Sequence, residues 1–142
     1  MTLALLRPRS RRFVITAGPE GAAIEINARN AIDLSRETNG DVMLLATVRL
    51  DAPLSAPVTL SVRCDGSDCG RPLLLPEFAA LVPGQWRVVG VPLKCFAATG
   101  ADMSRITAPF RVDTRGSLNI SLSRVALGSG VEADVVAKCA EA

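Results

Sequence analysis

Between residues 42 and 50 apolar side chains fall on every second position, with Val42, Leu44, Ala46, Val48 and Leu50 on one side and Met43, Leu45, Thr47 and Arg49 on the other. Successive side chains of an extended chain point to opposite faces, so this alternation predicts a strand. Pro53 and Pro57 then mark a turn, after which Val58, Leu60, Val62 and Cys64 alternate with Thr59, Ser61 and Arg63. The second run reads as a strand with one buried and one wet face, paired antiparallel with the first. A third strand follows where Leu118, Ile120 and Leu122 alternate with Asn119, Ser121 and Ser123.

Residues 85–93 are also extended, but their apolar phase changes near Gly90, where a bulge or a close backbone approach explains the slip. Pro92 places that end at a sheet edge or just past it. Fainter strands read at residues 12–16, 22–28 and 109–113. Helical signal is short: residues 76–81 open with Pro76 in first-turn position and stop at Pro83-Gly84, and residues 94–98 make one more turn. No helix is long enough to cross over a sheet, so seven or eight short strands predict an all-β sandwich or barrel rather than a parallel α/β sheet. The expected organisation is a single β-sandwich domain over residues 1–142, with residues 1–10 as a disordered or displaced arm. Residues 128–142 form a tail or edge element, strand or helix.

A chain of 142 residues, 49% hydrophobic and 21% charged, is long and apolar enough to bury one core. Aromatic residues are 4%, with no Tyr and one Trp, so the core must be aliphatic and stacking surfaces scarce. The formal charge of +2 falls far short of the field a polyanion demands, and nucleic acid is not an expected partner. Arg7, Arg9, Arg11 and Arg12 read as a solvated arm or strand edge. Residues 1–6 are apolar but short, with their positive charges behind rather than ahead, unlike a secretory signal. No run approaches a membrane span. Any export address is expected upstream in a longer chain.

The sequence contains no His, which removes Ser-His and Cys-His nucleophiles and every His metal motif. Asp33, Glu37, Asp41, Asp51, Asp102 and Asp113 lie in turn-like contexts, where Asp caps or bends the backbone more often than it does chemistry. Asp33, Asn39 and Asp41 offer oxygens to a structural Ca²⁺, but three donors do not fill a shell of about six to eight, so no cofactor is expected. Cys64 and Cys69 flank a flexible turn and are expected to form a disulfide; the competing pairing links Cys95 to one of them. With no His and no Cys-x2-Cys spacing, a zinc site is not expected. A bridged Cys64 and Cys69 imply an oxidising compartment such as a periplasm. Trp86 opens its strand and reads first as a core anchor and second as a stacking platform for a sugar.

Several short motifs are more specific. Trp86 is followed by Val91-Pro92-Leu93-Lys94-Cys95-Phe96, then Gly100-Ala101-Asp102-Met103, Pro109-Phe110 and Gly116-Ser117-Leu118-Asn119-Ile120-Ser121. Upstream stand Ala31-Ile32-Asp33-Leu34-Ser35-Arg36-Glu37 and the turn from Arg63-Cys64 to Cys69-Gly70. Over roughly residues 13–127 this order resembles the C-terminal accessory domain of bacterial exo-β-glucosidases of glycoside hydrolase family 3.

The resemblance implies a galactose-binding-domain-like jelly roll, similar in shape to many carbohydrate-binding modules, that follows the catalytic domains in a longer chain. The nucleophile and acid/base of that family lie in those other domains, so the resemblance implies no catalytic residue here. It implies instead a non-catalytic partner of the catalytic domains of a periplasmic or secreted β-glucosidase, structural or holding a β-glucan oligosaccharide. The alternative is a stand-alone carbohydrate-binding module. In the carbohydrate-binding reading the expected sugar contacts are Trp86, Arg63 and Asn119, with Thr59, Ser61 and Ser121 on the wet sheet faces.

Overall fold

Strand alternation sorts the chain into two layers in the computed structural model, which describes residues 11–15, 21–65 and 69–139. Among these residues nine strands form: β1 Arg11–Ile15, β2 Ala22–Ile26, β3 Met43–Leu50, β4 Val58–Cys64, β5 Leu73–Leu74, β6 Arg87–Pro92, β7 Ile106–Thr114, β8 Leu118–Gly128 and β9 Val135–Val136. Three short helices join them: α1 Ser35–Asn39, α2 Pro76–Ala79 and α3 Leu93–Ala98. The expected arm at residues 1–10, with Arg7 and Arg9, and the turn residues 66–68 lie outside the described part.

One sheet has the order β1-β8-β3-β6-β9 and the other β2-β7-β4-β5. Strands β1 to β8 thus run 1-8-3-6 and 2-7-4-5, the jelly-roll arrangement in which consecutive strands pass to opposite layers except at β4 and β5, which are neighbours in one sheet. The expected antiparallel pairing of β3 with β4 is therefore corrected. The seven residues between them, with Pro53 and Pro57, carry the chain across the sandwich instead of reversing it within one sheet. β3 pairs with β6 and β8, while β4 pairs with β5 and β7.

The inward faces match the alternation. Leu44, Ala46, Val48 and Leu50 of β3 and Leu118, Ile120 and Leu122 of β8 meet Val58, Leu60 and Val62 of β4 and Phe110 and Val112 of β7 in one continuous core. Each such Leu, Val or Phe removed from water stabilises the fold by about 1.5–3 kcal/mol. β8 continues to Gly128 by means of a bulge: Thr47 faces Arg124 but Val48 faces Leu122, so Ser123 is the inserted residue and the buried phase passes to Val125 and Leu127. The register of β7 against β4 also slips between Arg63 and Ser61, where Pro109 has no N–H to give to the ladder.

Gly90 pairs regularly with Leu45, so the phase change there is not a bulge. It is a close approach: a Cβ on Gly90 would lie 2.9 Å from the Ala133 Cβ and 3.1 Å from the Met43 Sδ. The C-terminal segment provides that cover. It makes a single 3-10 turn at Gly130–Glu132 closed by a capping box between Ser129 and Glu132, then adds β9 parallel to β6. Asp134 fastens it, donating its N–H to the Val88 carbonyl and accepting the Val88 N–H at 2.8 Å.

Two disulfides complete the frame, Cys64 to Cys69 with Cα atoms 5.2 Å apart and Cys95 to Cys139 at 5.6 Å. The alternative linking Cys95 to Cys64 or Cys69 is not the one formed. Gly70, just past the first bridge, has φ +77° and its Cα faces Thr99 and Ala101, so the bridged turn rests on the end of α3.

Candidate functional site

The two outer sheet faces carry the polar residues, and each has a different character. On the five-stranded sheet, Arg49 and Ser121 are register partners across β3 and β8. Arg49 Nε donates to Asp51 Oδ1 at 2.6 Å, its Nη2 to Ser121 Oγ at 3.2 Å, and the Ser121 hydroxyl donates to Asp51 Oδ2 at 2.6 Å. The same guanidinium lies 4.9 Å from the ring centroid of Trp86. Trp86 is half-buried just before β6 and is not among the residues that build the core. The expectation of a core anchor is corrected: the indole serves as a seat for a cation. The Asn119 carbonyl accepts the Asp51 N–H at 2.9 Å, which places Asn119 beside this network.

Arg63 lies on the other side of the molecule. On the outer face of the four-stranded sheet, β7 runs between β2 and β4, and Arg111 faces Glu25 on one side and Ser61 on the other. Arg111 Nη1 donates to Glu25 Oε1 at 3.1 Å and its Nε donates to both oxygens of Asp113 at 2.9 and 3.0 Å. Arg63 Nε approaches the same Glu25 oxygen at 3.5 Å. The Asp113 hydrogen bonds, then Glu25, raise the Arg111 pKa against the opposing effect of burial. Two depressions meet at Arg111 and Asp113. One of about 560 Å³ extends towards Gly21, Thr59 and Arg115, and one of about 600 Å³ towards Ser61, Arg63, Gly70 and Thr107.

The expected sugar contacts therefore divide. Trp86, Asn119 and Ser121 share one face, while Arg63, Thr59 and Ser61 share the opposite one, so no single ligand of oligosaccharide width touches all of them. Sequence reasoning passed over Arg111 and Glu25 and read Asp113 as a turn residue. The available signal was the spacing of Arg111 and Asp113 two apart in a strand, which puts both on one face.

The remaining carboxylates act on the backbone. Asp33 Oδ1 accepts the Ser35 N–H at 2.9 Å at the start of α1, and Asp102 accepts the Ser104 hydroxyl and N–H and the Arg105 Nε. These bonds hold both carboxyls below their ordinary pKa, led by the Ser35 amide at Asp33 and by the Ser104 hydroxyl at Asp102. Asp41 follows α1 with φ 61° and forms an ion pair with Lys94. Asp33 and Asp41, the calcium candidates, belong to no cluster of three or more metal-ligating His, Cys, Asp or Glu among the described residues.

Beside the short edge strand β5 lies an apolar depression of about 510 Å³ lined by Leu54, Pro57, Leu74, Leu75, Pro76 and Ala79. No helix among the described residues is long and apolar enough to cross a membrane.

Comparison with known proteins places this geometry. No curated protein is significantly similar to the chain in sequence. Among solved structures it matches the extra C-terminal domain (X) of the exo-1,3/1,4-β-glucanase ExoP from a Pseudoalteromonas species, with 22% identity and a TM-score of 0.70 over 92% of this chain and 69% of that one. It matches the whole ExoP enzyme equally well, again at 22% identity and TM-score 0.70, covering 93% of this chain but 16% of the enzyme's length. The family model described as a galactose-binding-domain-like domain, Exop_C, matches residues 9–127. With most of its length inside that match and its two-sheet sandwich in agreement, the chain belongs to the Exop_C family of galactose-binding-domain-like domains.

Proposed function

We propose that this chain is a non-catalytic accessory domain of a family 3 β-glucan-degrading hydrolase, working beside the catalytic domains rather than on substrate bonds. The observation that supports it most is the family match over residues 9–127, joined to the likeness with the extra C-terminal domain of an exo-glucanase. The described carboxylates support it too. Glu25 and Asp113 both contact one guanidinium, and Asp33 and Asp102 both serve turns, whereas a glycosidase keeps one carboxyl protonated as its acid and leaves the other free to attack the sugar or activate water.

The apolar depression beside β5 is the surface by which the domain rests on the catalytic body. Interdomain faces are apolar at their centre and polar at the rim, and Leu74 stands 37% exposed there. Two disulfides suit an oxidising compartment, a periplasm or the cell exterior.

The test is to isolate this sequence from its native source under non-denaturing conditions and assay the preparation with an aryl β-glucoside. The expected result is a larger polypeptide or complex that hydrolyses the glucoside and contains this sequence. Recovery of the domain alone, with all glucosidase activity in other fractions, would overturn the reading.

A further inference from the structure

We infer that residues 129–139 form a redox-controlled latch. With the Cys95–Cys139 bridge closed, the segment covers an apolar strip on the outer face of the five-stranded sheet together with the edge of β6; a dithiol reductant opens it. The inference concerns only how this segment is held and does not depend on the accessory reading above.

Outward positions of β3 should be wet, yet Leu45 is 7% exposed and Ala126, its register partner on β8, is 2% exposed. The strap lies over them. Its Glu132 shares a small depression of about 130 Å³ with Leu45, Thr47, Val88 and Ala126. Glycines make room for this cover: a Cβ on Gly128 would collide with the Glu132 carboxylate, and one on Gly130 would lie 3.0 Å from the Met43 Cε.

The strap is held mainly through polar groups. Asp134 grips Val88 through its N–H and its carboxylate, the Ala137 N–H donates to the Gly90 carbonyl at 2.8 Å, and the Lys138 N–H donates to Glu77 Oε2 at 3.3 Å. Of its apolar side chains Ala137 is buried and Ala133 and Val135 are half-buried, while Val131 is 94% and Val136 41% exposed. A segment that buries so little apolar surface sits at the low-stability end of a fold. The bond from Cys139 to Cys95 on α3 keeps it at a high effective concentration over its own seat. Without that bond a few hydrogen bonds of small net worth remain.

The two bridges are not equivalent. Cys64 and Cys69, each 8% exposed, are 5 residues apart, so breaking their bond frees no distant element. Cys95 and Cys139 are half-buried and join segments 44 residues apart. One thiolate of the dithiol attacks the Cys139 sulfur, breaking its bond to Cys95 and forming a mixed disulfide. The second thiol then displaces Cys139. Two electrons and two protons pass to the protein, leaving Cys95 and Cys139 as thiols and the reductant as a disulfide. In the open state β6 has lost its parallel neighbour and presents unpaired backbone groups, with Met43, Leu45 and Ala126 bared beside it.

The experiment titrates the purified chain with dithiothreitol. Backbone amide exchange is followed in the mixture, while thiols in parallel samples are alkylated and located by mass spectrometry. Cys95 and Cys139 are expected to become reactive before Cys64 and Cys69. At that step exchange at Val88, Asp134 and Ala137 rises roughly tenfold or more, whereas the amides of β4 and β7 keep their protection. Reoxidation restores the first state, and Cys95→Ser/Cys139→Ser shows the fast exchange without reductant and no further response to it. Unchanged exchange once Cys95 and Cys139 are reduced, loss of protection throughout both sheets at the same step, or earlier reduction of Cys64 and Cys69 would each overturn the latch.

Discussion

Single carboxylates in this domain are spent on local geometry, and their titration should show it. Asp33 and Asp102 are ionised in the fold with pKa values below the ordinary 3.8, through the Ser35 amide and the Ser104 hydroxyl respectively. A group whose folded pKa is depressed stabilises the native state fully above its unfolded value and stops doing so as pH falls through the folded value. Urea midpoints measured at about pH 5 and about pH 3 should therefore fall further for the native chain than for Asp33→Asn/Asp102→Asn, whose amides do not titrate. An equal fall in both would show that these bonds carry no linkage. At this scale the sequence was legible for Asp33, Asp41 and Asp102, because an acid followed two residues on by Ser, or set after a Gly, has few uses besides a turn. It was not legible for Trp86. Whether an indole enters the core or covers the outside depends on which residue the partner strand sets beside it, and here that residue is Arg49.

The elements held in place by covalent or close contacts are the C-terminal strap and the Cys64–Cys69 turn. Cys95 and Cys139 are 44 residues apart in sequence and Cys64 and Cys69 only 5. If bridging acts by restricting the unfolded chain, Cys139→Ser should cost roughly 4 kcal/mol and Cys69→Ser roughly 2 kcal/mol. Urea unfolding of the two variants checks the order, and an equal or reversed loss would contradict it. Gly90→Ala should destabilise by about 1–3 kcal/mol, since the new methyl meets Ala133 and Met43 and must displace the strap. Hydrogen exchange at Ala137, whose N–H bonds to Gly90, should rise with it. Strands β3, β4 and the first half of β8 were plain in the sequence because one face of each is apolar without interruption; the second half of β8 lies beyond the bulge at Ser123, where the phase changes. α1 and β5 were not, because a five-residue helix and a two-residue strand give too few positions for any period to register. The pairing of β3 with β4 misled for a physical reason. Two alternating strands joined by a short proline-rich link look alike whether the link turns back or crosses the sandwich.

At the scale of the whole molecule, the alternation of strands between layers was not in the pattern of any one strand. It follows from closing two wet-outside sheets around a single aliphatic core, and it separates polar residues that look equivalent along the chain. That separation puts Arg63 and Asn119 on opposite faces, and brings Arg111 and Glu25, distant in sequence, side by side. The family resemblance pointed to the sandwich, while the Arg111–Glu25 pair needed the register of β2 against β7. The central claim is that this sandwich supports a glucan hydrolase without breaking glycosidic bonds itself. Its most direct test is the rate at which the purified chain alone releases nitrophenol from 4-nitrophenyl β-glucoside. The account predicts a rate equal to that of buffer at any protein concentration; saturable release that scales with the chain would contradict it.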